Sequence, residues 1–400
     1  MSGDGIEVHM ITRKKNIKIA MLGHKRIPSR EGGVEVVVTE LSVRMVKAGH
    51  NVCCYNRKGH HVSGKEHDHN HDIDVYKGIK LKSVLTIDKK GLAAFTSSIF
   101  AAIKAAFGKY DIVHFHAEGP CAMLWLPKLC GKRCIATIHG LDWKREKWQN
   151  GFGSKYIRFG EKIAAKYADE VIVLSRSIQE YFMAAYGRRT HYIPNGVNKP
   201  EIRAADLIKE KYGLYKDSYI CYLGRLTEEK GVHYLIEAYK QLNTDKKLVI
   251  AGGASDTDDY AKKIKAMASD DNRIIFTGFV QGDIFVELYS NAYVYVLPSN
   301  LEGMPLSLLE AMSYSNCCIV SDIAECVEVV EGKGITFRKG SVVDLKEKMQ
   351  NACNNPDEVQ KYKSAASDFI CKKYNWNDVV DQTLNVYSRT VCQKHSPNTR

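Results

Sequence analysis

AYVYVLPSNLEGMPLSLLEAM, residues 292–312, joins an apolar run to a helical pattern through a short polar loop. Ala292 to Leu297 carries no charge and only two tyrosine hydroxyls, the composition of a strand covered on both faces. Pro298 ends that run, and the spacing predicts a helix starting near Pro305 or Leu306. Glu302 then lies in the loop at the carboxyl end of a strand, where open α/β sheets bind their ligands. Glu310 falls about one turn into the helix, among Leu308, Leu309, Ala311 and Met312. Neighbours this apolar argue for a cleft-facing carboxylate, with a solvent-facing Glu on an amphipathic helix as the alternative.

The same strand–helix unit recurs in both directions from this segment. In the second half, strands are expected at Tyr219 to Leu223, Lys247 to Ala251, Ile274 to Phe276 and Cys317 to Val320. Helical stretches there include Gly231 to Tyr239 and Ser307 to Tyr314. In the first half the strands are Ile17 to Leu22, Asn51 to Tyr55, Asp111 to Phe115, Cys134 to Ile138 and Glu170 to Leu174, with a helix over Val34 to Lys47. Strands separated by helix-length segments imply parallel sheets covered on both faces. A chain of 400 residues also exceeds the roughly 300 at which single cores stop growing. The fold class is therefore α/β, with two Rossmann-like domains facing across a cleft. Pro194-Asn195-Gly196-Val197 is a turn signature, which puts the boundaries at 17–194 and 195–365. A terminal helical segment follows at 366–387, part of one helix-like stretch from Lys361 to Tyr387, with a polar tail from Ser388. It can pack on either domain.

Charge divides the chain unevenly. The formal net charge is +12, but residues 1–200 hold 33 Lys or Arg against 18 Asp or Glu, while residues 201–400 hold 25 against 28. A basic first half favours an anionic partner: nucleic acid, a phospholipid surface or a pyrophosphate-linked substrate. No helix-turn-helix, zinc-finger or RNA-binding motif organises the charge, so nucleic acid is not expected. The twelve cysteines follow no disulfide or zinc pattern; Cys53–Cys54 and Cys317–Cys318 sit within apolar runs as small buried hydrophobes, which suits a cytoplasmic chain. No run reaches the roughly 20 apolar residues of a membrane span. Gly91 to Phe107 comes nearest, but Thr96, Ser97, Ser98 and Lys104 interrupt it, and it reads either as core or as a surface lying on a membrane.

Further residues carry chemistry. In Leu223-Gly224-Arg225-Leu226-Thr227-Glu228-Glu229-Lys230-Gly231 a strand end, a glycine and two cations five residues apart precede a helix, a plausible pyrophosphate clamp. Gly32-Gly33 opens the helix from Val34, where backbone N–H groups and the helix end favour an anion, and Arg30 lies just ahead of it. His116 ends one first-half strand, and His139, with Asp142 after it, ends the next. A lone histidine at such a place is more often structural than catalytic. His60, His61, His67, His69 and His71 fall in a polar loop without tetrahedral ligand spacing, so no metal site is expected there.

Together these motifs resemble the retaining glycosyltransferases of family 4, which have the GT-B fold and a Glu, seven residues, Glu motif matched by Glu302 and Glu310. The likeness runs from Ile17 to about Tyr387. One departure follows the motif, where Tyr314-Ser315-Asn316-Cys317-Cys318 replaces the family's usual glycine and proline. The resemblance implies a nucleoside-diphosphate sugar as donor substrate, retention of anomeric configuration, and no cofactor or divalent-metal requirement. By position, Glu302 would approach the donor sugar hydroxyls and Glu310 the ribose. Arg225 and Lys230 would neutralise the departing diphosphate, the Gly32-Gly33 loop would lie beside the donor phosphates, and His139 would contact the transferring sugar. Arg30, His116 and Asp142 are acceptor-side candidates. The acceptor expected is a glycan, lipid-linked or related molecule of surface polysaccharide or glycoconjugate synthesis; the basic first half and the Gly91 to Phe107 segment add an expectation of peripheral association at the inner face of the cell membrane. A sugar-nucleotide epimerase and a noncatalytic module binding anionic polymers stay open as alternatives; the second would need neither glutamate.

Overall fold

The computed structural model describes residues 16–58, 73–87, 92–145, 151–253 and 259–392, which form two sheets. Strands β1 (Lys18–Leu22), β2 (Asn51–Arg57), β3 (Val75–Tyr76), β4 (Ile79–Val84), β5 (Ile112–His116), β6 (Arg133–Ile138), β7 (Glu170–Val173) and β8 (His191–Tyr192) build the first. Their spatial order is β3-β4-β2-β1-β5-β6-β7-β8. The second contains β9 (Tyr219–Leu223), β10 (Lys247–Ala251), β11 (Ile274–Gly278), β12 (Val294–Leu297), β13 (Cys317–Ser321) and β14 (Ile335–Phe337), in the order β11-β10-β9-β12-β13-β14. Every pairing is parallel except the β3–β4 hairpin. The winding reverses between β1 and β5 in one sheet and between β9 and β12 in the other. At such a point neighbouring crossovers depart in opposite directions and leave a crevice at the carboxyl ends of the strands. These two crevices face each other across the cleft.

Alternation along the central strands explains the layering. Ile19 and Met21 of β1 join a core beneath the helices Gly33–Lys47 and Trp376–Cys392, while Ala20 and Leu22 point to the opposite core with Val113 and Phe115. The β3–β4 hairpin was not anticipated. Its turn places Lys77 at φ 45° and Gly78 at φ 82°, the left-handed pair that matches strand twist in a two-residue loop. The histidine-rich stretch from His60 to His71 lies outside the described residues.

The expected single helix from Lys361 to Tyr387 is two helices, Pro356–Lys373 and Trp376–Cys392, and the second continues past Ser388, where a polar tail was expected. The break has a local cause. The Tyr374 carbonyl accepts the Val197 N–H at 2.7 Å, so it leaves the helical ladder, and the Asn375 side chain accepts the Asn377 N–H at 2.7 Å to start the next helix. Val197 and Asn375 form a parallel bridge where the chain first enters and later leaves the second domain. Beyond it, Trp376, Val379, Val380, Leu384 and Tyr387 pack into the first-domain core, against the helix Gly33–Lys47.

Helix Leu92–Ala106 covers the first-domain core, one of the two readings of its sequence, but through its small residues rather than its large apolar ones. It turns Ser97, Ser98, Ala101, Ala102, Ala105 and Ala106 inward, because small side chains allow close approach to the sheet. Leu92, Ile103 and the following Phe107 stay exposed, Phe107 at 78%. Phe100 packs onto the core beside the helix and Phe95 meets the Tyr156 ring edge to face at 5.2 Å.

The double crossing is testable at Gly196. A Cβ there would lie 2.5 Å from Cδ2 of Trp376 and 2.8 Å from its Cα, and backbone cannot yield as a flexible side chain does. Gly196→Ala should lower stability in urea unfolding by about 1–3 kcal/mol, the usual cost of overpacking. Unchanged stability would mean that Trp376 is not seated against this turn.

Candidate active site

Two loops of the second domain are locked together by backbone. Gly231, at φ 65°, could carry no Cβ, which would sit 2.1 Å from the Pro298 carbonyl oxygen, and the Asn300 N–H donates to the Glu229 carbonyl at 2.8 Å. That packing brings the loop after β9 against the loop after β12. Lys230 Nζ consequently lies 2.5 Å from Glu302 Oε1, with both side chains largely buried. Arg225 is positioned by its own carbonyl, which accepts the Tyr222 hydroxyl at 2.8 Å, and its guanidinium makes no ion pair among the described residues. Glu229 lies close by. Burial pushes its carboxyl up, but a hydrogen bond to its own backbone together with Arg145, Arg225 and Lys230 holds it below the usual carboxylate range.

The first domain supplies the opposite wall. Arg145 ion-pairs with Asp142 at 2.8 Å, and although burial opposes its charge, Asp142, Glu229, Glu302 and Glu118 keep it firmly protonated. Gly140 to Asp142 and Arg145 line one side of a cavity whose other side is Arg225, Glu229, Lys230 and Leu301 to Gly303. Three cations and three carboxylates from two domains thus meet in one cleft, a constellation suited to an anionic ligand with several oxygens. Arg145 and Glu229 were missed as site residues. Arg145 follows Asp142 by three positions, a spacing that pairs them on one turn, but nothing in the sequence aims either at the second domain.

Glu310 occupies helix Leu306–Ser313 and meets the Arg30 guanidinium across the cleft in an ion pair. Burial raises the Glu310 pKa and Arg30 opposes the rise. Arg30 also lies over the Phe285 ring, 4.6 Å from its centre, so a residue expected near the acceptor sits at the end of the cleft that holds Glu310. Gly32 is the N-cap of helix Gly33–Lys47, and a Cβ on Gly33 would come 3.5 Å from Leu306, at the start of the Glu310 helix. The amino ends of the two helices therefore face each other.

His139 ends β6 half-buried, and burial lowers its pKa to about 4 despite Asp142 and Glu35 nearby. Its Nε2 is 3.0 Å from Nδ1 of His116, which is wholly buried. Glu118, just beyond β5, accepts the Asp142 N–H at 2.8 Å and so sets the backbone after Gly140. Among the described residues no cluster of three or more His, Cys, Asp or Glu side chains is placed to hold a metal ion.

At the mouth the domains touch backbone to backbone. A Cβ on Gly303 would lie 1.7 Å from the His139 carbonyl oxygen and 2.8 Å from the Gly140 Cα. Gly303→Ala should keep each domain folded yet wedge the cleft, lowering kcat/KM at least about tenfold through misplacement of the reacting groups. Equal activity in the variant would show that turnover does not pass through this closed arrangement.

Residues 31–199 match the family model described as Glycosyltransferase Family 4, and residues 205–369 match the one described as Glycosyl transferases group 1. The chain is 25% identical over 398 residues to an uncharacterized glycosyltransferase of Methanocaldococcus jannaschii, covering 93% of this chain and 98% of that one. In structure it is similar to sucrose-phosphate synthase from Thermosynechococcus elongatus, with a TM-score of 0.80 at 20% identity, covering 94% of this chain and all of the other. Anabaena HepE in complex with UDP and glucose gives a TM-score of 0.77 at 18% identity over the same shares.

Proposed function

Starting from an enzyme of the glycosyltransferase class with the GT-B fold, related to the group 1 and family 4 enzymes, which transfers a sugar from a nucleoside-diphosphate sugar to an acceptor, we propose that it does so with retention and without a metal ion. One observation carries the metal-free part of this reading, retention resting on the resemblance to the retaining family: Arg145, Arg225 and Lys230 converge from both domains on the cavity that Glu302 also lines. Negative charge grows on the diphosphate as its bond to the anomeric carbon breaks. Cations already gathered in the cleft before reaction stabilise that charge more in the transition state than in the ground state. Arg225 and Lys230 neutralise the leaving diphosphate, and Arg145 adds a third charge from the facing domain. Glu302, oriented by Lys230, takes the donor sugar hydroxyls, while Glu310 takes the ribose once the Arg30 guanidinium gives way. The Gly32-Gly33 helix end receives phosphate oxygens. His139 contacts the transferring sugar, with Asp142 at the acceptor side. Retention follows from attack by the acceptor hydroxyl on the face the diphosphate leaves, the departing phosphate oxygen accepting its proton.

The donor is proposed to be a uridine diphosphate sugar, by analogy with the UDP-bound Anabaena protein. The product, formed in the presence of a chelator and read by NMR, should keep the donor's anomeric configuration. Lys230→Ala should lower kcat by about 100-fold, the scale of removing one preorganised charge partner. An inverted product, or activity restored only by a divalent ion, would overturn the mechanism.

The acceptor is proposed to be carried at an anionic membrane surface. The supporting observation is the outward turn of Leu92, Ile103 and Phe107, beside Lys104, in the half of the chain that carries the basic surplus. Apolar insertion and attraction of Lys and Arg to anionic headgroups act together without a spanning helix, and no described helix is long and apolar enough to cross a membrane. Flotation with phosphatidylglycerol vesicles should show salt-sensitive binding that weakens at least about tenfold in Ile103→Ser with Phe107→Ser, since tenfold needs only about 1.4 kcal/mol and even partial insertion of two large apolar side chains supplies that much. Equal flotation of variant and parent would reject the helix as the contact.

A further inference from the structure

Three of the protein's histidines lie together toward the carboxyl edge of the first sheet, and the proposed chemistry uses one. His114 and His116 are two apart on β5, and Thr137 and His139 are two apart at the end of the adjacent β6, so all four point to the same face. That face is covered by the helix Trp376–Cys392, which returns from the far end of the chain. Tyr387 of that helix, fully buried, places its hydroxyl 2.6 Å from Nδ1 of His114, and Nε2 of His114 is 2.7 Å from the Thr137 hydroxyl. Tied at both nitrogens, the His114 ring cannot turn. It lies against the His116 ring with centroids 4.2 Å apart and a 32° tilt, and His116 in turn bonds His139.

The pairing selects a tautomer. Each neutral imidazole has one N–H and one lone pair. Burial keeps these rings neutral, lowering His114 to about 3 and His116 well below its ordinary range. A proton on His139 Nε2 would force the His116 proton onto Nε2, a buried atom with no partner among the described residues. His24 does not receive it, because its Nε2 is the one bonded to the Asn56 side-chain oxygen, at 3.0 Å, and its Nδ1 is also unpaired. An orphaned buried N–H is costlier and rarer than an orphaned lone pair. The His116 Nδ1–H therefore donates to His139 Nε2, and the His139 proton resides on Nδ1.

We propose that Tyr387, His114 and His116 are positioning residues that hold His139 as an Nδ1–H donor toward the cleft. The helix that closes the first-domain core thereby sets the hydrogen-bonding sense of a site residue through three rings. The use of that donor by the transferring sugar rests on the function proposed above; the tautomer does not.

Long-range proton–nitrogen NMR on the full chain with nitrogen-15 histidine tests this without substrate, the His139 signals being assigned by their loss in His139→Gln. The wild type should give the Nδ1–H pattern for His139. Tyr387→Phe keeps the ring but frees His114 and lets His116 flip, so the ratio of the two His139 tautomers should shift about two- to tenfold, the scale of one ordinary hydrogen bond. An Nε2–H pattern in the wild type overturns the proposal, as does an unchanged ratio in both Tyr387→Phe and its double variant with Thr137→Val. Adding UDP-glucose as a probe separates the two ideas. If the tautomer behaves as expected but the His139 signals ignore the probe, the positioning stands and the contact of His139 with the donor sugar fails.

Discussion

The contact between Gly303 and the His139 carbonyl constrains the whole arrangement. Two backbones can approach so closely only where neither carries a side chain that intervenes, and the φ of 154° at Gly140 is likewise a glycine conformation. Because this contact fixes the separation of the sheets at the cleft mouth, it determines which charges meet. Glu302, one residue before Gly303, comes into the field of Arg145, and Glu310, one turn into the following helix, comes within reach of Arg30. Neither relation exists within a single domain.

The charges gathered there are poor candidates for stabilising the fold. Buried ion pairs recover little beyond their desolvation cost, and replacing them with apolar residues is often neutral or favourable. Their arrangement makes better sense as a site kept charged in advance of a charged ligand. Among the described residues Arg225 makes no ion pair and Lys230 pairs with Glu302, so cationic charge is available at the cavity without unfolding anything. The histidines show the opposite solution. Burial holds His114, His116 and His139 neutral, so they add directional hydrogen bonds without adding further positive charge to a wall that already contains Arg145.

The return of the last helix gives the second domain a second attachment to the first. Val197 and Asn375 lie side by side at the crossing, and Arg44 of the first domain bonds the Asn198 side chain at 2.7 Å there. At the other side of the interface, the helix Arg176–Tyr186 meets the helix Ala324–Val330 through Ser177 and Glu325, 2.5 Å apart. Motion between the domains must bend the paired crossings and break such polar contacts, which ties cleft geometry to the same helix that carries Tyr387.

By itself, the sequence determined the strand–helix alternation, the two-sheet architecture, the loops that hold Glu302, Arg225, Lys230 and His139 and the helix that holds Glu310, because period, turn residues and motif spacing are local properties of the chain. It also marked the apolar stretch ending at Phe107, though its inward face turned out to be the small residues: periodicity reports that a helix has two faces, and packing distance decides which one fits the sheet. The break at Tyr374 was not legible, since its cause is a hydrogen bond from Val197, 177 positions earlier. Only the tertiary structure put Arg30 on Glu310, Arg145 among the carboxylates of both domains, and Tyr387 behind His139. Each of these depends on side chains separated by scores of residues whose approach is set by domain closure, and short-range pattern carries no record of such distances.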